Sequence, residues 1–318
     1  MPNKSHPLRG YLYIATATFL WGISASMGRA MFTGHPMPGG EVLRPIDPLV
    51  LAQARTSFSL LVLFPLLLLT RGRTLALPKA DFYRAIVLGI FGVAASNYLY
   101  YLAIEKTNVA IAIIIQYTAP AWVLLYLASR GRTKATLPRV AAVILAVIGC
   151  ALVIGLIGAG HFQVNAMGLI AAVLASFSFA FYNVAGHDIL ARYDRWKVLL
   201  YTLASAAAFW LIINPPWKII AAHYDRSQWL YLFVFAMTSV LLPFSLYFGG
   251  LQHLEPTSAI VTSCLEPVFS IILAAMLLGE TVRPLQVLGI VVVLSATVLV
   301  QMPGRGTRGE VALVEPIE

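Results

Sequence analysis

Apolar residues run along this chain in ten long blocks separated by mostly short polar breaks. The blocks cover Gly10–Thr33, Leu49–Thr70, Phe82–Ile104, Val109–Ser129, Leu137–Ile157, Met167–Leu190, Val198–Ile213, Trp229–Leu251, Thr257–Leu278 and Pro284–Gln301. An α-helix needs about 20 mostly apolar residues to cross about 30 Å of hydrocarbon, and most blocks are near that length. Strands of a membrane barrel would be about ten residues long with alternating polarity, which is not the pattern here. Lipid offers the backbone no partners, so each block predicts a helix. The seventh block is the shortest. The first follows Lys4 and Arg9 but has no clear small-residue cleavage site, so it reads as a retained span. The longest connection, Gly34–Pro48, is rich in Gly and Pro and predicts an irregular loop.

The halves of the chain resemble each other. Tyr101–Trp122 aligns without gaps on Phe248–Phe269, which matches Ala112 with Ala259, Ile113 with Ile260 and Pro120 with Pro267, and sets Ala103 opposite Gly250. Gly10–Arg29 aligns on Gly168–His187, matching Gly10 with Gly168, Phe19 with Phe177 and Gly28 with Gly186. Blocks one to five therefore read as a copy of blocks six to ten. Five is odd, so the second copy enters the membrane from the opposite side. The expected fold is an all-α integral membrane protein of ten transmembrane helices, arranged as two inverted five-helix repeats at 10–157 and 167–301. A mobile cytoplasmic tail is expected at 302–318. Inverted repeats are a recurring carrier architecture, with the site near the midplane where the copies meet.

Composition supports this reading. Only 11% of the 318 residues are charged against 59% hydrophobic, and the mean hydropathy is +0.82. A soluble domain would carry about 25% charge. The net charge of +9 sits in short Lys/Arg clusters between blocks. Such clusters set membrane orientation and do not point to nucleic acid. Fifteen of the 22 cations fall on one side, six on the other, and Arg55 lies inside the second block. The rich side is expected to be cytoplasmic, with both termini inside, in a multi-pass protein of the cytoplasmic membrane. Cys150 and Cys264 lie in apolar blocks with no CxxC neighbour or nearby His, and read as buried inert thiols. No metal or cofactor is expected.

The stretch Leu265-Glu266-Pro267, then Leu278-Gly279-Glu280, then Gln286 and Gly289, resembles the second-repeat signature of the EamA-type family of drug/metabolite transporters. Trp21-Gly22 and Arg55 resemble its first-repeat pattern. The first copy departs from the signature, carrying Ala119-Pro120 and no Gly-Glu at Arg132-Thr133. The resemblance spans nearly the whole chain. It implies a ten-helix carrier of small metabolites, often amino acids, usually moved outward.

Candidate chemistry is sparse. Pro120 and Pro267 lie mid-block, where each removes a helical hydrogen bond and predicts a hinge or kink that can line a cavity. Glu266 is the one carboxylate deep in a block, where burial is costly unless it faces a cavity or partner. It reads either as a proton carrier or substrate-amine ligand, or as a structural carboxylate at the Pro267 kink. Arg55 either snorkels to the surface or meets a substrate carboxylate. Trp21, Asn97, Tyr98, Tyr101, Gln116, Tyr117, Trp122 and Asn183 complete the substrate-binding candidates: a mostly apolar pocket with a few polar anchors. Taken singly, each aromatic reads better as lipid-facing or interfacial packing; as a group with the mid-block amides they point to a central cavity.

The expected partners are a small molecule and the bilayer. The expected function is export of amino acids or related amphipathic compounds by alternating access, either as a facilitator or by proton antiport through Glu266. The oligomeric state is open. The alternative, a membrane-embedded enzyme acting on a lipid-linked substrate, would need a grouped base, nucleophile or metal set, and none is evident.

Overall fold

The computed structural model describes residues 6–33, 46–71, 75–107, 109–155, 165–221, 223–278 and 281–302. The Gly34–Pro48 loop falls almost wholly outside them, as do Gly279, Glu280 and all of the predicted tail beyond Met302. Every apolar block is helical. The helices are α1 (Pro7–Thr33), α2 (Pro48–Arg71), α3 (Lys79–Val87), α4 (Ala95–Lys106), α5 (Val109–Gln116), α6 (Ala119–Ser129), α7 (Leu137–Val153) and α8 (Ala166–Leu190). They continue with α9 (Arg195–Ile213), α10 (Pro216–Ala221), α11 (Arg226–Ala236), α12 (Leu242–Leu251), α13 (Pro256–Ser263), α14 (Leu265–Leu278) and α15 (Pro284–Leu299). Turns of π-helix at Leu88–Ala94 and Met237–Leu241 join α3 to α4 and α11 to α12 without a loop.

Seven helical stretches among the described residues are long and apolar enough to cross a membrane; α7 and α15 are shorter apolar helices. The fifth block was expected to run to Ile157. Its helix stops at Val153 because Gly155 takes φ +77°, a left-handed cap that glycine adopts without strain. The short α10, between the seventh and eighth blocks, was not expected. Large apolar side chains face outward along the long helices, among them Leu61, Leu69, Leu125 and Met276. So wide an apolar exterior fits a lipid coat and would not dissolve in water.

The correspondence between halves extends beyond the aligned segments. α2, α3, α4, α5 and α7 each begin 147 residues before α9, α11, α12, α13 and α15 respectively. The capping aspartates follow suit: Asp47 accepts from the Leu49 amide at 2.8 Å, and Asp194 from the Trp196 amide at 3.0 Å. The first helices are offset differently because the segment between α1 and α2 is longer than that between α8 and α9. Packing follows the same exchange. α1 lies on α12, α13 and α14, while α8 lies on α4, α5 and α6. α2 packs against α9, and α7 against α15.

Matched glycines make the close approaches. A Cβ on Gly10 would come within 2.6 Å of Leu254, and one on Gly168 within 2.5 Å of Thr107, the position equivalent to Leu254. α7 and α15 cross where Gly149 and Gly289 face Val293 and Val153.

The two faces of the bundle differ. One gathers the start of α1 and the connections near residues 71–84, 130–139, 187–197 and 252–255. Here first-half and second-half residues form ion pairs: Arg71–Asp194 at 2.8 Å, Arg139–Glu255 at 2.6 Å, Asp81–Arg192 at 3.4 Å, and a two-pronged Arg132–Asp188. The Tyr193 hydroxyl donates to Asp81 at 2.7 Å, and this bond holds its pKa above the usual tyrosine value. A cleft of about 220 Å³ opens on this face between Arg71, Arg192 and Lys197. The opposite face joins the halves by neutral bonds, Asn214 to Gln53 at 2.9 Å and Tyr231 to the Met27 carbonyl at 2.7 Å. α13 also packs on α6, α7 and α8 toward the charged face.

Candidate functional site

Four interruptions of helical geometry converge on the middle of the bundle. Two are the chain breaks between α5 and α6, at Tyr117–Thr118, and between α13 and α14, at Cys264. Pro120 and Pro267 follow them within the first turn of α6 and α14, where a missing N–H costs nothing. The helices therefore break just before the prolines instead of kinking at them. Thr118 ties its break to α8 by a 2.9 Å hydroxyl contact with Ser176.

The other two interruptions are the π-turns, which end at equivalent residues, Ala94 and Leu241. A π-turn carries loosened carbonyls that invite side-chain donors. Ser178 of α8 donates to the Phe91 carbonyl in the first, and the Trp21 indole of α1 to the Ser239 carbonyl, at 3.1 Å, in the second. Each half's first helix thus stitches the other half's π-turn.

The first π-turn also aims the site. Asn97 donates its amide to the Val93 carbonyl at 2.7 Å, which leaves its oxygen pointing at Arg55. Arg55 donates to that oxygen at 3.0 Å and to the Tyr101 hydroxyl at 3.4 Å. Across from them, Glu266 sits at the start of α14, with Tyr117 and Arg55 among the groups around it. Tyr100 lies within the field of both charges. Cys150 and Cys264 adjoin the cluster, and the Cys150 thiol points at the Cys264 carbonyl at 3.8 Å. The result is a cationic lobe from the first half facing an anionic lobe from the second. Opposite charges gathered inside apolar helices in this way mark a candidate site for a small polar molecule.

The structure does not bring all the predicted residues together. Asn97, Tyr101, Tyr117 and Glu266 join the cluster. Gln116, the last residue of α5, is half-buried beside the break. Tyr98 turns to α9, edge-on to Phe209 and Trp210. Trp122 stacks on Phe177 of α8 with ring centroids 4.3 Å apart, its indole N–H unpartnered. Trp21 and Asn183 belong to an aromatic layer with Tyr182, Phe244, Tyr247 and Phe248. There Asn183 is fully used, accepting from the Tyr247 hydroxyl at 2.6 Å and donating to the Phe179 carbonyl at 2.8 Å. Arg55, left between two readings by the sequence, lies in the cluster and does not reach the surface alone. Its signal was available: it is the one cation deep in a block, and Asn97 and Tyr101 share a helical face four residues apart. The adjacency of the two cysteines had no such signal. Among the described residues, no three His, Cys, Asp or Glu side chains group as metal ligands.

Comparison with known proteins agrees with this architecture. A crystal structure with 18% sequence identity superposes with a TM-score of 0.72, covering 93% of this chain and 98% of that one, which shows a shared fold. The inner membrane transporter YicL of Salmonella typhimurium is 24% identical over 93% of this chain and 96% of its own. The threonine/homoserine exporter RhtA of Escherichia coli K12 is 27% identical over 81% of this chain and 85% of its own. Residues 8–155 and 166–302 each match the EamA-like transporter family. With both halves matched and long apolar helices between them, the chain is a multi-pass membrane protein that belongs to the EamA-like transporter family.

Proposed function

We propose that this protein is an alternating-access exporter of amino acids or related amphipathic metabolites in the cytoplasmic membrane. Ten spans form two inverted five-helix halves, with both termini and the charged face inside the cell. The observation that carries this reading is the polar cluster at the paired helix breaks, built from both halves within the membrane-spanning region. Broken helices around a midplane site are what rocking of one repeat against the other requires. The odd number of helices per half and the excess of cations at one set of loops support the inverted arrangement. Two relatives, an inner membrane transporter and a threonine/homoserine exporter, support the location and the substrate class.

The test is uptake of an amino-acid panel by purified protein in liposomes, with and without a pH gradient. Saturable flux of at least one neutral amino acid is expected. Flux of none of them would overturn the substrate class. Gradient-driven accumulation by the native protein would make it a proton antiporter, and loss of that accumulation in Glu266→Gln with downhill flux retained would assign the proton to Glu266. Accumulation that persists in that variant would remove Glu266 as the carrier.

A further inference from the structure

The duplicated architecture contains its own control for the two central charges. The position equivalent to Arg55 is Thr202, fully buried on α9, where it donates to the Leu199 carbonyl at 3.0 Å. The position equivalent to Glu266 is Ala119, which stands just before Pro120 at the corresponding break. α2 and α9 therefore build the same helix with and without the cation. α6 and α14 begin after the same kind of break with and without the carboxylate. A need of the fold would recur in both halves, and neither charge recurs. Their neighbours are equally one-sided: Asn97 and Tyr101 correspond to Phe244 and Phe248, and Tyr117 to Cys264.

The charges also do not collapse onto each other. Arg55 spends its guanidinium on Asn97 and Tyr101, while Tyr117 stands beside Glu266. Each lies in the other's field, yet among the described residues no direct ion pair joins them. Opposite charges in a low-dielectric interior attract strongly. Arg55 is engaged by two first-half side chains, and Glu266, from the second half, has Tyr117 of the first half beside it.

We infer that Arg55 and Glu266 are the two handles of one substrate site, and that the site takes an α-amino acid as its zwitterion. The guanidinium fork receives the carboxylate, and the Glu266 carboxylate receives the ammonium. A zwitterion compensates both charges at once, so the loaded site is electroneutral. An amine or an acid alone leaves one handle buried and unpaired, which is strongly unfavourable. The inference rests on the amino-acid carrier reading and adds to it the residues that enforce it.

The test compares proteoliposome uptake of L-threonine, L-threonine methyl ester and N-acetyl-L-threonine, each quantified by mass spectrometry. The ester lacks the anionic end and the N-acetyl compound lacks the cationic end. The native protein is expected to prefer threonine over both by about tenfold or more, the worth of one charged hydrogen bond. The variants install the residues of the opposite half. Arg55→Thr should bring the ester level with threonine and still reject the N-acetyl compound. Glu266→Ala should do the reverse. Melting temperature in detergent monitors folding. If a single variant fails to fold through its uncompensated charge, Arg55→Thr/Glu266→Ala decides: it should melt near the native protein and lose both discriminations. Threonine uptake that falls in parallel with the analogues in each variant would overturn the two-handle site while leaving the carrier intact. Uptake of no amino acid by the native protein would overturn both.

Discussion

Tyr247 and Asn183 share one of the best-defined buried hydrogen bonds of the aromatic layer, and each is inaccessible to solvent. A buried polar group that loses its partner costs about 1–3 kcal/mol, whereas removing both partners costs less than the sum. Tyr247→Phe and Asn183→Ala should therefore each lower the melting temperature in detergent, and the double variant should lower it by clearly less than the two combined. Additive losses would mean that the pair is not coupled. The contrast with Arg55 and Glu266 shows how far single residues could be read beforehand. A polar residue inside an apolar block is conspicuous, so Asn97, Tyr101, Tyr117, Asn183 and Glu266 all stood out in the sequence. What each one pairs with did not. The Asn183 and Trp21 donors end on carbonyls, Phe179 and Ser239, while Arg55 ends on side chains from another span. Long-range partners leave no trace in local periodicity.

The π-turns raise the same issue for whole elements. The hydrocarbon thickness imposes a common length, which is why the blocks foretold the helices almost end for end. The prolines marked the breaks to within a turn. The π-turns were invisible, because LGIFGVA and MTSVL are as apolar as their flanks. A π-turn amounts to one extra residue, and one residue turns an α-helix by about 100°. Deleting Ile90 should make α3 and α4 one regular helix and rotate Asn97 and Tyr101 away from Arg55. Amino-acid uptake should fall to background while membrane insertion and yield stay near native. Deleting Val240 should instead disturb the Ser239 carbonyl that receives Trp21 and lower thermal stability. Unchanged uptake after the first deletion would show that the turn does not aim the site.

Both halves of the molecule match one family, yet their contacts are not symmetric. α13 reaches α6, and Ile260 lies buried with Val123 and Leu127 toward the charged face. The ion pairs between the halves stand on that face, and each exposed pair contributes about 0–1 kcal/mol. On the proposed alternating-access mechanism, exchanging the roles of the halves describes the opposite state, with Ile113 approaching Ser270. In a protein whose native cysteines are replaced, a disulfide at Ile260/Val123 should form readily and arrest transport. One at Ile113/Ser270 should form only during turnover and also arrest it. Equal cross-linking of both pairs at rest would refute this exchange.

On the duplication reading, the π-turns also carry a date. They end at equivalent residues, and an insertion acquired twice at one place is the less economical history. On that reading the bulge predates the doubling of the gene. The charges record a later event. Arg130, Arg132, Lys134 and Arg139 fall opposite Leu277, Gly279, Thr281 and Gln286. On the same reading, the cations of this loop were gained or lost after the two copies began to diverge.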